Sequence, residues 1–290
     1  MAGGAIGAIG PLGPLSPHYA VILCDIWGCL HNGVAAFPAA VQSLQRWQDE
    51  GRIVILLTNA PRPAESVRKQ LDRLGIPARC YNAIVTSGDT GLAAARADYP
   101  EQAFHFIGSS ADRDIIAEAG VTLSSEGPHN PVICTGFHEG YVDDITHHES
   151  EMEQMLIHNA IMLCFNPDRM VIRGTRAELC AGALGEQYQQ MGGIVRFFGK
   201  PYQPIYDYAV KIAEGLIERP LTKPEIIAIG DGVHTDLQGA YHYGLDFAFI
   251  TGGIEQEKIA TMGVEAFLKE AIADNLPKGY RPAIIASHLA

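Results

Sequence analysis

The 290-residue chain carries 33 acidic against 21 basic side chains, a net charge of −12. An acidic surface repels phosphate backbones, so nucleic acid is excluded as a natural partner. At 47% hydrophobic and 19% charged residues the chain can fill a core, which excludes a disordered protein.

No apolar run approaches the ~20 residues of a membrane helix, so no membrane partner is expected. The N-terminus has no basic n-region of a signal peptide. The six cysteines, Cys24, Cys29, Cys80, Cys134, Cys164 and Cys180, show no paired zinc-type spacing and read as small buried hydrophobes in a reducing cytoplasm.

Residues 1–16, rich in Gly, Ala and Pro, read as an arm, flexible or draped on the surface. Tyr19–Asp25 is a continuous apolar run ending in a carboxylate, as in a buried parallel strand. Pro38–Glu50 has helical spacing, with Val41, Leu44 and Trp47 on one face. Arg52–Thr58 is a second buried strand, Pro63–Leu74 a helix closed by Gly75, and Asn82–Thr86 a third strand.

The segment 89–196 reads as a separate α/β unit. Its strands are Ala103–Gly108, Pro131–Thr135 and Ala160–Phe165, and a helix is expected over Ala177–Met191. Glu225–Gly230 is then a core strand, followed by a helix from Thr235 and a strand at Asp246–Ile250. Strands alternating with helices imply a parallel sheet covered on both faces. The fold class is therefore α/β, a Rossmann-like core from 1–88 and 197–290 with an inserted α/β cap at 89–196.

Ligands of open parallel sheets bind beyond the carboxyl ends of the strands. The residues placed there are Asp25 with Trp27 and Gly28; Thr58 with Asn59; Thr86 with Ser87 and Gly88; and Asp231 with Asp236, joined by Lys200. Crowded carboxylates repel one another unless a hard cation such as Mg²⁺ binds. A carboxylate can also attack phosphorus, with a lysine and a hydroxyl stabilising the transferring group. Arg62, Arg173 and Arg176 could hold an anionic substrate or stay solvated. His147, His148 and Glu149 have the look of a metal cluster, against the plainer reading of a solvated helix start.

The set Asp25-Ile-Trp-Gly28, Leu57-Thr58-Asn59, Gly199-Lys200-Pro201 and Gly230-Asp231-Gly-Val-His-Thr-Asp236 resembles, in order, the four motifs of the haloacid dehalogenase (HAD) superfamily. An insert between the second and third motifs, with Asn166-Pro167-Asp168 and Gly182-Ala183-Leu184, is similar to the class IIA branch, which holds nucleotide and pyridoxal phosphatases. The resemblance implies Asp25 as nucleophile and metal ligand, and the Trp27 carbonyl and Asp231 as further Mg²⁺ ligands. It implies that Asp236 holds the metal's waters or braces Lys200. Thr58 and Lys200 would grip the phosphoryl group, and Asn59 would line the substrate site.

The family's phosphatases carry Asp-x-Asp in the first motif, the second Asp being the general acid and base. Trp27 stands in that place, and an indole transfers no proton at neutral pH. His31 and His234 are the nearby titratable side chains, with loop roles as the plainer alternative. The expected function is a cytoplasmic Mg²⁺-dependent phosphatase for a small phosphorylated metabolite, working through an aspartyl-phosphate. Two alternatives remain: a non-catalytic phospho-ligand-binding or regulatory protein, and, behind it, a carbon–halogen or other carbon-centre hydrolase. A homodimer is left open.

Overall fold

The computed structural model describes residues 9–141, 144–173, 176–273, 276–277 and 280–290, leaving aside the side chains of Ile172, Arg173, Arg176 and Ala273. The strands are β1 (Val21–Asp25), β2 (Ile53–Thr58), β3 (Ala83–Thr86), β4 (His105–Ile107), β5 (Val132–Cys134), β6 (Ile161–Cys164), β7 (Met170–Arg173), β8 (Arg176–Leu179), β9 (Ile194–Phe197), β10 (Ile226–Gly230), β11 (Asp246–Ile250) and β12 (Ile284–Ala286). The helices are α1 (Pro38–Asp49), α2 (Ala64–Arg73), α3 (Ser87–Asp98), α4 (Ser110–Glu118), α5 (Glu149–Ile157), α6 (Ala181–Gln190), α7 (Gln203–Ile217), α8 (Gln238–Tyr243), α9 (Gln256–Met262) and α10 (Val264–Ala273).

The chain divides into two compact units. The first comprises Met1–Leu57, Asp72–Ala83 and Ala209–Ala290; the second comprises Thr58–Leu71 and Ile84–Tyr208.

The larger sheet runs β12-β11-β10-β1-β2-β3. The pairs β11–β12, β10–β11, β1–β10 and β1–β2 are all parallel. Its central strands, VILCD and IIAIG, are buried along their whole length, as expected of strands covered on both faces. Helix α1 starts with proline at a position where its missing N–H costs nothing and buries Ala40, Ser43, Leu44 and Trp47. The expected Rossmann-like α/β core is present.

The arm is anchored over its described part. Leu12 donates its N–H to the His288 carbonyl and Ser287 its N–H to the Gly10 carbonyl, both at 2.8 Å. Leu12 and Leu15 are buried. Residues 1–8 lie outside the described residues.

The second unit has a parallel sheet in the order β4-β5-β6-β9 and a separate ribbon, β7-β8. Its core packs Ile107, Met152, Met162, Leu184 and Tyr188 together in one cluster, and Phe104, Phe165 and Phe198 in another.

The helix expected from Ala177 begins at Ala181, because Arg176–Leu179 forms β8, antiparallel to β7 with Met170 opposite Leu179. The Cys180 N–H donates to the Arg169 carbonyl and the Gly182 N–H to the Asp168 carbonyl. These bonds tie the entry of the helix to the preceding segment, so the backbone cannot turn helical earlier. Similarly, the helix expected from Thr235 opens as a π-turn over Val233–Leu237 before α8.

Candidate active site

In the first unit, Asp25 ends β1 and Asp231 directly follows β10. The two strands are neighbours in register, with Cys24 level with Ile229. Parallel pairing therefore sets two carboxylates at adjacent carboxyl ends. Ligand atoms of Asp25, Cys29 and Asp231 all lie within 4.8 Å of one another, and Asp25 and Asp231 are buried.

Backbone groups fix the Asp231 carboxylate. Its Oδ2 accepts the Ile254 N–H at 2.7 Å. A Cβ at either Gly28 or Gly253 would lie 1.9 Å from the same oxygen. Gly28 also sits at φ +79°, where a side chain is strained. Glycine is thus required twice around one carboxylate.

Cys29, which sequence spacing does not mark, is part of this group. Burial, then the charges of Asp231 and Asp25, pushes its thiol well above the ordinary range. It stays an S–H, leaving the oxygens as the donor set. Hard carboxylate oxygens suit Mg²⁺ and a protonated thiol does not compete, so the residues present fit the expected cation. Asp236 stands behind them. Its Oδ2 accepts the Gly232 N–H and the Thr235 hydroxyl, both at 3.2 Å, and it is buried.

Trp27 lies in a tight flap. The Gly28 N–H donates to the His31 carbonyl at 2.9 Å. The indole meets the His31 ring edge-on, centroids 5.3 Å apart. A Cβ on Gly33 would lie 2.4 Å from the indole Cη2. His31 is buried, and its Nδ1 accepts the Gly33 N–H at 2.9 Å. Nδ1 is therefore unprotonated, and burial lowers the ring's pKa, so His31 is a neutral flap residue. His234 is exposed on the π-turn.

In the second unit, Thr58 Oγ1 accepts the Ala60 N–H at 3.3 Å. Asn59 spends its amide internally. Nδ2 donates to Asp168 Oδ1 at 2.7 Å and to the Lys200 carbonyl at 3.0 Å, while Oδ1 accepts the Lys200 N–H at 2.6 Å. A Cβ on Gly199 would lie 2.4 Å from Asn59 Oδ1 and 2.6 Å from Pro167 Cδ. The Asn166-Pro167-Asp168 and Gly199-Lys200 motifs are thus packed on one amide, and Lys200 is buried.

Arg62 is ion-paired with Asp112. Thr86 caps α3 by accepting the Asp89 N–H at 2.9 Å. Gly88 packs on the Pro61 carbonyl, 2.2 Å from where its Cβ would be. Arg173 and Arg176 are register partners at the end of the β7-β8 ribbon where β7 leads into β8; their side chains lie outside what is described.

Residues 22–122 match the haloacid dehalogenase-like hydrolase family and residues 197–289 match a HAD-hydrolase-like family. The chain is 34% identical to a haloacid dehalogenase-like hydrolase from Brucella suis 1330, with a TM-score of 0.81 over 97% of this chain and 99% of that one. It is 23% identical to the ribonucleotide monophosphatase NagD of Escherichia coli K12, over 80% of this chain and 88% of the relative. A glycerol phosphate phosphatase from Mycobacterium tuberculosis, solved in complex with magnesium, shares 20% identity at a TM-score of 0.69, over 93% of this chain and 76% of that one. The chain belongs to the haloacid dehalogenase-like hydrolase family.

Proposed function

We propose that this hydrolase is a Mg²⁺-dependent phosphatase acting on a small phosphorylated metabolite. The observation that carries the reading is the convergence of the buried Asp25 and Asp231 carboxylates at adjacent strand ends. Asp25 attacks phosphorus as the P–O bond to the substrate's alcohol breaks and the alcohol leaves, and water then hydrolyses the aspartyl-phosphate to free Asp25 and inorganic phosphate. Asp231 and the Trp27 carbonyl complete the ligand set, and Asp236 holds the turn that presents Asp231. When bound, Mg²⁺ neutralises charge on the transferring group.

The motif resemblance carries the roles of Thr58 and Lys200 in gripping the phosphoryl group. It also carries the cap assigned to 89–196 and the substrate contacts of Asn59, Arg62, Arg173 and Arg176. The relatives' printed activities, on ribonucleotide monophosphates and glycerol phosphate, support a small phosphate monoester as substrate. Six cysteines that form no disulfide suit a cytoplasmic protein. No helix among the described residues is long and apolar enough to cross a membrane.

Trp27 favours a second reading, a protein that binds a phosphorylated ligand and does not turn it over. General acid–base catalysis contributes ~10²–10⁴-fold, and the flap supplies a neutral His31 whose Nδ1 is already engaged. A screen of phosphorylated metabolites and an aryl phosphate, with and without Mg²⁺, separates the two. Mg²⁺-dependent phosphate release supports the phosphatase. Ligand-induced stabilisation without release supports the binding protein.

A further inference from the structure

The second unit holds a group of titratable side chains that plays no part in the phosphatase reading. Glu151, on the first turn of α5, receives three imidazoles. His105 Nε2, from the start of β4, lies 2.7 Å from Oε1. His138 Nε2, from the loop after β5, lies 3.1 Å from Oε2, and His148 Nδ1 lies 3.3 Å from the same oxygen. The sequence suggested His147, His148 and Glu149 as a solvated stretch. His147 and Glu149 are exposed, but His148 is wholly buried and its partner is Glu151, one helical turn on. Residues three apart share a helix face, which is why Glu149 points elsewhere.

We propose that His138 Nε2, His148 Nδ1 and the Glu151 carboxylate form a binding site for a zinc-class divalent cation. The first argument is distance. A tetrahedral zinc with nitrogen and oxygen ligands at ~2.0–2.1 Å has edges of about 3.3 Å between ligand atoms. The two measured edges are 3.1 and 3.3 Å, and all three ligand atoms lie within 4.8 Å of one another.

The second argument is proton accounting. His138 Nδ1 lies 3.1 Å from the Gly108 carbonyl, which can only accept, so Nδ1 carries the proton. In the neutral ring Nε2 then points a lone pair at a carboxylate oxygen 3.1 Å away, a repulsive contact unless a second proton or a metal cation lies between them. This is the usual state of a metal-bound histidine, whose second nitrogen donates to a carbonyl.

The third argument is the setting of His148. Its ring is fully buried, and its Nε2 has no hydrogen-bond partner among the described residues. Its Nδ1 faces the oxygen that His138 Nε2 also faces, so one dication would meet these two nitrogens at once. His105 holds the other carboxylate oxygen, as outer partners of metal-ligating carboxylates do. The ion would fasten the loop after β5 to the start of α5.

The test uses tag-free, full-length protein, stripped by chelator and returned to millimolar Mg²⁺ so that oxygen-only sites are filled. Calorimetric titration with Zn²⁺ is expected to show one tight site per chain. His138→Ala and Glu151→Gln should weaken it at least about tenfold, and Asp25→Asn should leave it unchanged. X-ray absorption of the zinc-loaded wild type, which needs no variant to fold, should report two imidazoles and a carboxylate. Absence of tight Zn²⁺ binding in Mg²⁺ overturns the proposal. So does loss of the site in Asp25→Asn alone, or an absorption spectrum without imidazole. Imidazolium signals from His138 at neutral pH, unmoved by Zn²⁺, would show a protonated ion cluster instead.

Discussion

Gly253 stands so close to Asp231 that a Cβ on the glycine would lie 1.9 Å from the carboxylate Oδ2 and 2.4 Å from its Cγ. The same carboxylate accepts the N–H of the next residue, Ile254. Gly253→Ala must therefore push Asp231 out of place or break that bond. Its Mg²⁺ affinity, read by titration, is expected to fall with Asp231→Asn. Gly51→Ala is the control: Gly51 has φ +78° but open space around it. It should lose stability, of order 1 kcal/mol, and keep its Mg²⁺ affinity. Unchanged binding in Gly253→Ala would mean Asp231 is not a ligand.

Asp25→Asn tests the nucleophile. The amide is isosteric, and Asp25 lies at the end of a strand whose other residues are fully buried and apolar, so the fold should survive. Phosphate release should disappear, because an amide is a poor nucleophile. Activity within tenfold of wild type would assign the attack to another residue.

The Asn59 amide predicts a coupling. Asn59→Asp cannot donate to the Lys200 carbonyl, and it sets a second carboxylate 2.7 Å from where Asp168 accepts. It should be less stable than Asn59→Ala. Adding Asp168→Asn to Asn59→Asp restores a donor–acceptor pair with the roles exchanged. The double variant should recover part of the loss in urea unfolding, with an interaction of ~0.5–3 kcal/mol. Strict additivity would show that the bond is incidental.

These groups differ in how far the sequence revealed them. Apolar runs ending in Asp25 and Thr58, and IIAIG before Asp231, were legible because burial on both faces leaves a continuous hydrophobic signature. The chemistry at those strand ends followed from topology alone. What Asn59 does was not legible: its motif says only that an amide belongs there, and its partners are 109 and 141 residues away. Cys29 was hidden for the opposite reason, since a cysteine among apolar residues looks like core. The β7-β8 ribbon is hard to read because Arg176–Leu179 is short and runs directly into a helix, so that the Gly174-Thr175 turn signal before it can equally open a helix. Glu151 was masked by the more conspicuous His147-His148-Glu149 run, in which only one residue faces inward.

His31 predicts a pH dependence. Burial lowers its pKa below the ordinary 6.5, so the unfolded chain binds the proton more readily than the folded one. Such a group costs nothing above about pH 6.5 and erodes stability as the pH falls below it. His31→Asn keeps an acceptor near the Gly33 N–H without the titration. Wild type should lose stability relative to His31→Asn between neutral pH and pH 5, measured by urea unfolding. Parallel curves would mean that His31 titrates in the fold as it does in the unfolded chain, and so is solvated.

Trp27 should limit turnover of substrates with poor leaving groups. Alkyl phosphates depart as alkoxides and need a proton in the transition state; aryl and acyl phosphates leave as weaker bases and need it less. The flap offers no ready substitute, since His31 Nδ1 accepts a backbone N–H and the ring is buried. Wild type should therefore show a steep dependence of rate on leaving-group pKa. Trp27→Asp restores a carboxylate at the family's acid position. Its gain should be largest on alkyl phosphates, up to the ~10²–10⁴ of a general acid. The indole also packs on Gly33 and His31, so its loss leaves a hole that costs stability. Trp27→Asn carries a comparable hole with no acid, and the comparison that matters is Asp against Asn at equal folded fraction. A gain confined to Asp and to poor leaving groups identifies proton transfer as what the indole withholds. A shallow wild-type slope would show that another group already donates the proton. Equal rates for Asp and Asn would show that the indole acts by steric exclusion.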